Sequence, residues 1–247
     1  MESTSFPTMI QVVENCLQLR GRLVHHYALL EDDGITLIDG GFLSNTPAKT
    51  AALLESAGRS LSEVKQIIIT HGHIDHTLHI AELQQRTGAL VLAPLLDRNH
   101  IEGNYPYRGL SRVCGALEKT ARSLFRYEIP RVDQWLSPDD TLPFWNGLEV
   151  VSLPGHTLGH VGFYSSVHEI LFAGDLFSNF HYHPKPPPRI FNVDTTLITE
   201  SIERANALPL AGGVLLNHCH SGTPLDHRND LRRIALRIRR PATYLNK

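Results

Sequence analysis

Apolar residues along the first third of the chain recur with the short-range pattern of strands. Residues 10–19 and 23–30 are rich in β-branched and apolar side chains, and Asp32-Asp33-Gly34 predicts a hairpin turn into Ile35-Thr36-Leu37-Ile38-Asp39. Gly40-Gly41 ends that strand. Thr46 followed by Pro47 predicts the start of a helix that stops at Gly58, because a hydroxyl can accept an orphan N–H of the first turn and proline there sacrifices no bond. Ser60 and Glu63 form a capping box for one short turn, and Gln66-Ile67-Ile68-Ile69-Thr70 reads as a buried strand. Residues 75–87 predict a helix closed by Gly88, with a further strand over 89–93.

The pattern changes between 94 and 135, where helix formers mix with Tyr105, Tyr107, Phe125, Tyr127 and Trp135. This predicts an insertion with helical content, placed to cover a site. Strand runs resume at 148–153, 160–165 and 169–173. Residues 179–190 form a proline-rich loop, and Asp194 caps a helix running to about Ala207. Residues 214–216 predict a last strand, and a helix from about Asp226 to Arg240 closes the chain. No internal repeat or linker divides the sequence, so residues 1–247 are read as one domain carrying the 94–135 insertion. Two runs of strands, each followed by helices, predict an α+β fold: two sheets packed together with helices outside.

Composition narrows the class. A chain of 247 residues, 42% hydrophobic and 19% charged, reads as an ordinary soluble globular protein. Its net charge of −2 supplies no field favouring nucleic acid or an anionic membrane. Three dispersed cysteines, Cys16, Cys114 and Cys219, make no disulfide framework. Neither a signal peptide nor a membrane-spanning apolar run is evident, so a cytoplasmic setting is expected. The fifteen histidines stand out, because neutral imidazole is the commonest metal ligand.

Four of the candidate ligands fall in His71-Gly72-His73-Ile74-Asp75-His76, where the 66–70 strand stops. On extended backbone, side chains two apart point the same way, so His71 and His73 can reach one cation. Asp75 and His76 fall where a helix begins and can address a second position. Further candidates sit at strand ends: Asp39, His156 in Pro154-Gly155-His156-Thr157, Asp175 after Gly174, and His218 and His220 after Val214-Leu215-Leu216.

The Thr70–His76 string resembles the HxHxDH motif of the metallo-β-lactamase superfamily, and the downstream order of Pro-Gly-His-Thr, Gly-Asp and a late histidine resembles it too. The resemblance runs from about residue 10 to 225. It implies an αββα sandwich of two mixed sheets flanked by helices, in agreement with the layers predicted above. It also implies two divalent metal ions. His71, His73 and His156 would hold one, Asp75, His76 and the late histidine the other, and Asp175 would bridge them. Asp39 would orient a ligand imidazole from behind. The late ligand is placed at His220, which Ser221 and Gly222 follow, with His218 as the alternative register and Cys219 facing away. Histidine and carboxylate ligands without thiolate suit zinc, and iron or manganese fit as well.

A two-metal site of this kind acidifies a shared water, and the resulting bridging hydroxide attacks an electrophilic centre, with Asp75 orienting it. The short loops resemble the glyoxalase II and lactonase branch, which implies cleavage of a small ester, thioester, lactone or amide. Two alternatives are a phosphodiesterase or nuclease of the same superfamily and a mononuclear iron enzyme resembling the persulfide dioxygenases. Arginines 228, 232, 233, 237, 239 and 240 alternate with Leu231, Ile234, Leu236 and Ile238, the pattern of a solvated amphipathic helix. The expected partner is therefore a small molecule, not nucleic acid or membrane, with homo-oligomerisation left open. Tyr105, Tyr107, Phe180 and Tyr182 are expected to line an apolar pocket.

Overall fold

The computed structural model describes residues 9–43, 46–180, 183–219 and 222–239. The first sheet is built from β1 (Met9–Val13), β2 (Cys16–Arg20), β3 (His25–Glu31), β4 (Gly34–Ile38), β5 (Val64–Ile68), β6 (Leu90–Pro94) and β7 (Gln134–Leu136), hydrogen-bonded in that order. The first four run antiparallel, and β4 to β7 run parallel. The second sheet contains β8 (Thr141–Leu142), β9 (Leu148–Ser152), β10 (Val161–Ser165), β11 (Ile170–Phe172) and, after the hairpin β12 (Ser178–Phe180) and β13 (His183–Lys185), the strand β14 (Gly213–Leu215). Its order is β14-β11-β10-β9-β8, with only the β11–β14 pair parallel.

Seven α-helices lie among the described residues: α1 (Pro47–Ser56), α2 (Ile74–Thr77), α3 (Ile80–Thr87), α4 (Arg98–Ile101), α5 (Arg112–Leu124), α6 (Thr195–Asn206) and α7 (Pro224–Arg239). None of the helices described is long and apolar enough to cross a membrane.

The two-residue period of the strands builds the layers. Tyr27, Leu29, Ile38, Ile68 and Leu92 face Val150, Val161, Phe163, Ile170 and Phe172 across the space between the sheets. The alternate residues Ala28, Leu37, Ile67 and Val91 meet Leu53 and Leu54 of α1 and Ile80 and Leu83 of α3. On the other side Tyr164, Leu171 and Val214 meet Ile198 and Ile202 of α6 and Leu231 and Ile234 of α7. Four layers result, α-β-β-α, as expected. The central strands are buried on both faces, which is why their sequences are continuously apolar.

Several boundaries differ from the sequence reading. The 10–19 run is a hairpin, β1 and β2, turned at Asn15 with φ +57°. The predicted helix 75–87 is broken at His79 (φ −103°, ψ 4°), leaving the four-residue α2 to carry Asp75 and His76 by itself. The 94–135 insertion contains α4 and α5, but its end is β7, an edge strand that pairs with β6. Inside the proline-rich loop, β12 and β13 pair Phe180 with His183. The Thr46 cap, the Ser60–Glu63 box and the Asp194 cap form as expected.

Candidate metal centre

The carboxyl ends of β4, β5, β11 and β14 lie at one edge of the sandwich, the usual place for function in parallel-stranded sheets. Two backbone bonds stitch the sheets there: Val161 N–H donates to the Thr70 carbonyl at 3.0 Å, and His25 N–H donates to the Asn217 carbonyl at 2.8 Å. Across this seam the chain assembles two groups of side chains with metal-ligand geometry, His71 with His73 and His156, and Asp75 with His76, Asp175 and His218.

Asp175 touches both groups. Its Oδ1 is 3.2 Å from His76 Nε2, and its Oδ2 is 3.4 Å from His156 Nε2 and 3.1 Å from His218 Nε2. Asp75 Oδ2 is 3.3 Å from the same His218 nitrogen. In the first group His73 Nδ1 faces His156 Nε2 at 2.8 Å. The Nε2 atoms of His71, His73 and His76 and Oδ1 of Asp175 are buried without a hydrogen-bond partner. Buried polar atoms are nearly always satisfied, so four convergent orphans fit a pair of cations.

Of the two registers for the late histidine, the described residues include only His218. His218 stands in the second group, held by its Nδ1–H on the Leu23 carbonyl at 3.0 Å, whereas His220 lies outside the described residues. The side chains of His218 and His220 are only two residues apart, so local sequence could not separate the registers. Cys219 is buried and takes no place in either group.

The rings of His71, His76, His156 and His218 are each oriented from behind. Asp39, fully buried with φ +64°, accepts His76 Nδ1–H at 2.9 Å, Thr70 N–H at 2.8 Å and the Asn217 amide at 2.9 Å. The Thr70 hydroxyl is in turn 3.1 Å from His71 Nδ1. His156 Nδ1 is 3.2 Å from Asn192 Oδ1, whose amide nitrogen is anchored on the Pro187 carbonyl. These contacts set tautomers that leave Nε2 of His76, His156 and His218 for the site.

Besides Asn192, four further supporting residues went unread in the sequence. His160 donates through Nδ1 to the Leu153 carbonyl at 2.7 Å and accepts the Asp175 N–H on Nε2 at 2.9 Å, so it positions the shared carboxylate. Asp97 is fully buried and accepts Gly72 N–H at 2.8 Å, Gly159 N–H at 2.8 Å and the Thr157 hydroxyl at 2.6 Å, tying the two histidine loops together. Glu118 accepts Ile74 N–H, and Arg122 donates to the Gly72 carbonyl. The Gly-His pairs at 155–156 and 159–160 were the only local signal for any of them.

Electrostatics split the two groups. Burial pushes His73 and His156 down to about 4, and His71 well below the usual imidazole range, so all three rings are neutral lone-pair donors at neutral pH. In the second group burial opposes charge, but Asp175 and Asp75 push His218 up to about 10 and, with Asp39, raise His76 as well. His76 and His218 reciprocally hold Asp75 and Asp175 below the usual carboxylate range.

A groove of about 540 Å³ opens above the centre, and Phe180 lines it. Tyr105 and Tyr107 do not: Tyr105 stacks on His100 at 3.7 Å, and the Tyr107 hydroxyl donates to Glu118 at 2.8 Å. Tyr182 lies outside the described residues. Phe42, Phe177, Phe191 and Leu117 supply the apolar wall instead. On α7, Leu231 and Ile234 are buried while Arg233 pairs with Asp230 at 2.6 Å and Arg239 with Glu203 at 3.1 Å, so the helix is amphipathic as expected.

Comparison with known proteins agrees with this architecture. A metallo-β-lactamase family protein of Thermus thermophilus superposes with a TM-score of 0.71 at 20% identity, covering 92% of this chain and 80% of its own. A probable metallo-hydrolase of Bacillus subtilis, YybB, is 27% identical over 197 residues, 80% of each chain. A hydroxyacylglutathione hydrolase of Bdellovibrio bacteriovorus is 24% identical over 182 residues, 73% of this chain but only 59% of that relative. The sequence profile of the metallo-β-lactamase superfamily matches residues 20–211. The chain therefore belongs to the metallo-β-lactamase superfamily and is an enzyme of its metal-dependent hydrolase class.

Proposed function

We propose that the protein is a dinuclear hydrolase that cleaves a small ester, thioester, lactone or amide. His71, His73 and His156 would hold one cation, Asp75, His76 and His218 the other, and Asp175 would be shared between them. The shared carboxylate carries this reading. With Oδ1 turned to His76 and Oδ2 to His156 and His218, Asp175 meets both groups at distances of 3.1 to 3.4 Å.

Two divalent cations held there, zinc by the donor set, supply an acidified water and positive charge facing a developing oxyanion. The chain's own residues do the rest. Asp75 is the most exposed member of the second group, with its side chain 28% exposed, and it orients the attacking water. Asp39, Asn192 and the Leu23 carbonyl keep His76, His156 and His218 turned inward through the reaction. The apolar walls exclude bulk water and strengthen each charge interaction inside.

A single-iron reading leaves Asp75, His76 and His218 without a task, and the largely apolar groove suits a small acyl compound better than a phosphate backbone. The test is a panel of thioesters (hydroxyacylglutathione included), esters, lactones and β-lactams, with a bis-aryl phosphodiester as contrast. Turnover of an acyl compound that falls at least 100-fold in Asp175→Asn supports the reading. Turnover confined to the phosphodiester refutes it.

A further inference from the structure

The walls of the groove are chemically unlike its floor. All the candidate metal ligands that it exposes, His73, Asp75, His156, Asp175 and His218, lie at one end. The walls are Phe42, Leu117, Phe177, Phe180, Pro188 and Phe191. One wall is α5, which turns Cys114, Leu117, Glu118 and Ala121 toward the space at the i, i+3, i+4, i+7 spacing of a helix face. The opposite wall is the β12–β13 hairpin and the proline turn after it. The apolar surface begins at the metal centre itself, since the Phe180 ring centroid is 6.0 Å from that of His218.

The apolar character continues out of the mouth. Leu110, Val113, Leu117 and Leu124 follow one face of α5 and the turn before it, and are 60%, 49%, 55% and 71% exposed. Scattered exposed leucines need no explanation, but a contiguous line leading into a pocket does. Away from the metal centre charge is sparse: among the described residues that line the walls, Lys185, exposed on β13, is the one cation and Glu118 the one carboxylate. A substrate rich in carboxylates or phosphates would need more than that.

We infer that the substrate carries an apolar arm, an unbranched acyl or aryl-acyl group of several carbons, on the scissile carbonyl, and that this arm lies between α5 and the β12–β13 hairpin. The carbonyl rests on the hydrolase reading above; the arm rests on the walls alone. The groove volume is within the range of small-molecule sites, so an arm of this size fits beside the reacting group. Leu117 is the residue that sets its preference, because it stands on the wall and at the mouth.

The experiment uses p-nitrophenyl esters from acetyl to octanoyl with the zinc-loaded full chain. In parallel, the free carboxylates of the same lengths are titrated by calorimetry. Burying each methylene raises kcat/KM about fourfold until the groove is full, and Kd of the carboxylates falls in step. Leu117→Gln, a substitution compatible with an exposed helix position, lowers the octanoyl-to-acetyl ratio at least fivefold. Turnover or binding that is flat or falls with length overturns the inference and leaves the hydrolase reading standing. Length-dependent binding without turnover of any ester, thioester, lactone or amide supports the arm and overturns the hydrolase reading.

Discussion

The carboxylate of Glu118 accepts the backbone N–H of Ile74 at 2.7 Å. One helical turn along α5, Arg122 donates to the Gly72 carbonyl at 3.1 Å, so the insertion grips the peptide groups on both sides of His73. Both side chains are largely buried, and they lie 3.6 Å from each other. The insertion is therefore part of the frame of the metal centre as well as a wall of the groove.

Glu118→Ala should accordingly weaken cation binding about tenfold, by releasing His73 without removing any ligand. It should also cost about 1–3 kcal/mol of stability through the orphaned Ile74 N–H. Chelator competition and urea unfolding on the same samples read the two effects. Stability lost with affinity unchanged would show that the contact supports the fold but not the ligand.

Asp39→Ala removes the acceptor of His76 Nδ1–H, Thr70 N–H and the Asn217 amide in one step. We expect a loss of about 3 kcal/mol or more, because several buried donors are left unpaired. Asp39→Asn suits the φ of +64° better, since asparagine tolerates the left-handed region, and should cost less. Thermal melts of the two variants check the order.

Asp97 gives the fold an acid limit. Burial opposes its ionisation, but His100, the Thr157 hydroxyl and Gly72 N–H hold its carboxyl down at about 2, against an ordinary value of 3.8. A depressed folded value stabilises above pH 3.8 and is lost as pH falls through about 2, a contribution of about 2 kcal/mol. Asp97→Asn should therefore be less stable than the parent at pH 7, with the gap narrowing as pH drops through that window. A gap independent of pH in denaturant titrations would contradict the assignment.

In protein stripped with a chelator, His218 holds a proton at neutral pH because Asp175 and Asp75 raise it to about 10 against burial. A raised folded value contributes stability below pH 6.5 and loses it as pH rises through 10. Stripped protein should thus lose stability between those limits, and zinc uptake at pH 7 should expel protons. Calorimetry in buffers of different ionisation enthalpy counts them. Zero protons released would argue that His218 does not meet the cation.

Much of this centre was legible in the sequence because ligands cluster where strands end. His71, His73, Asp75 and His76 share a few adjacent residues, and the local geometry of strand end and first helical turn aims them without outside help. Asp39, His156 and Asp175 were legible as the last polar residues of apolar runs. The remainder depends on contacts that no short window contains. Asp97 meets Gly159 sixty-two positions away, and Glu118 meets Ile74 forty-four positions away. The break at His79 was hidden because helical periodicity continues across it, while the β12–β13 hairpin was masked by its prolines. The four-layer fold was readable because the strands are apolar on both faces and the outer helices on one.

Cation stoichiometry is the most direct test of the two-metal account. Atomic absorption on purified, zinc-reconstituted protein should give two ions per chain. It should fall to about one in His76→Ala and His218→Ala, while Asp175→Ala weakens both sites. His220→Ala should retain two. One ion per chain in the parent, unchanged by His76→Ala or His218→Ala, would contradict the account.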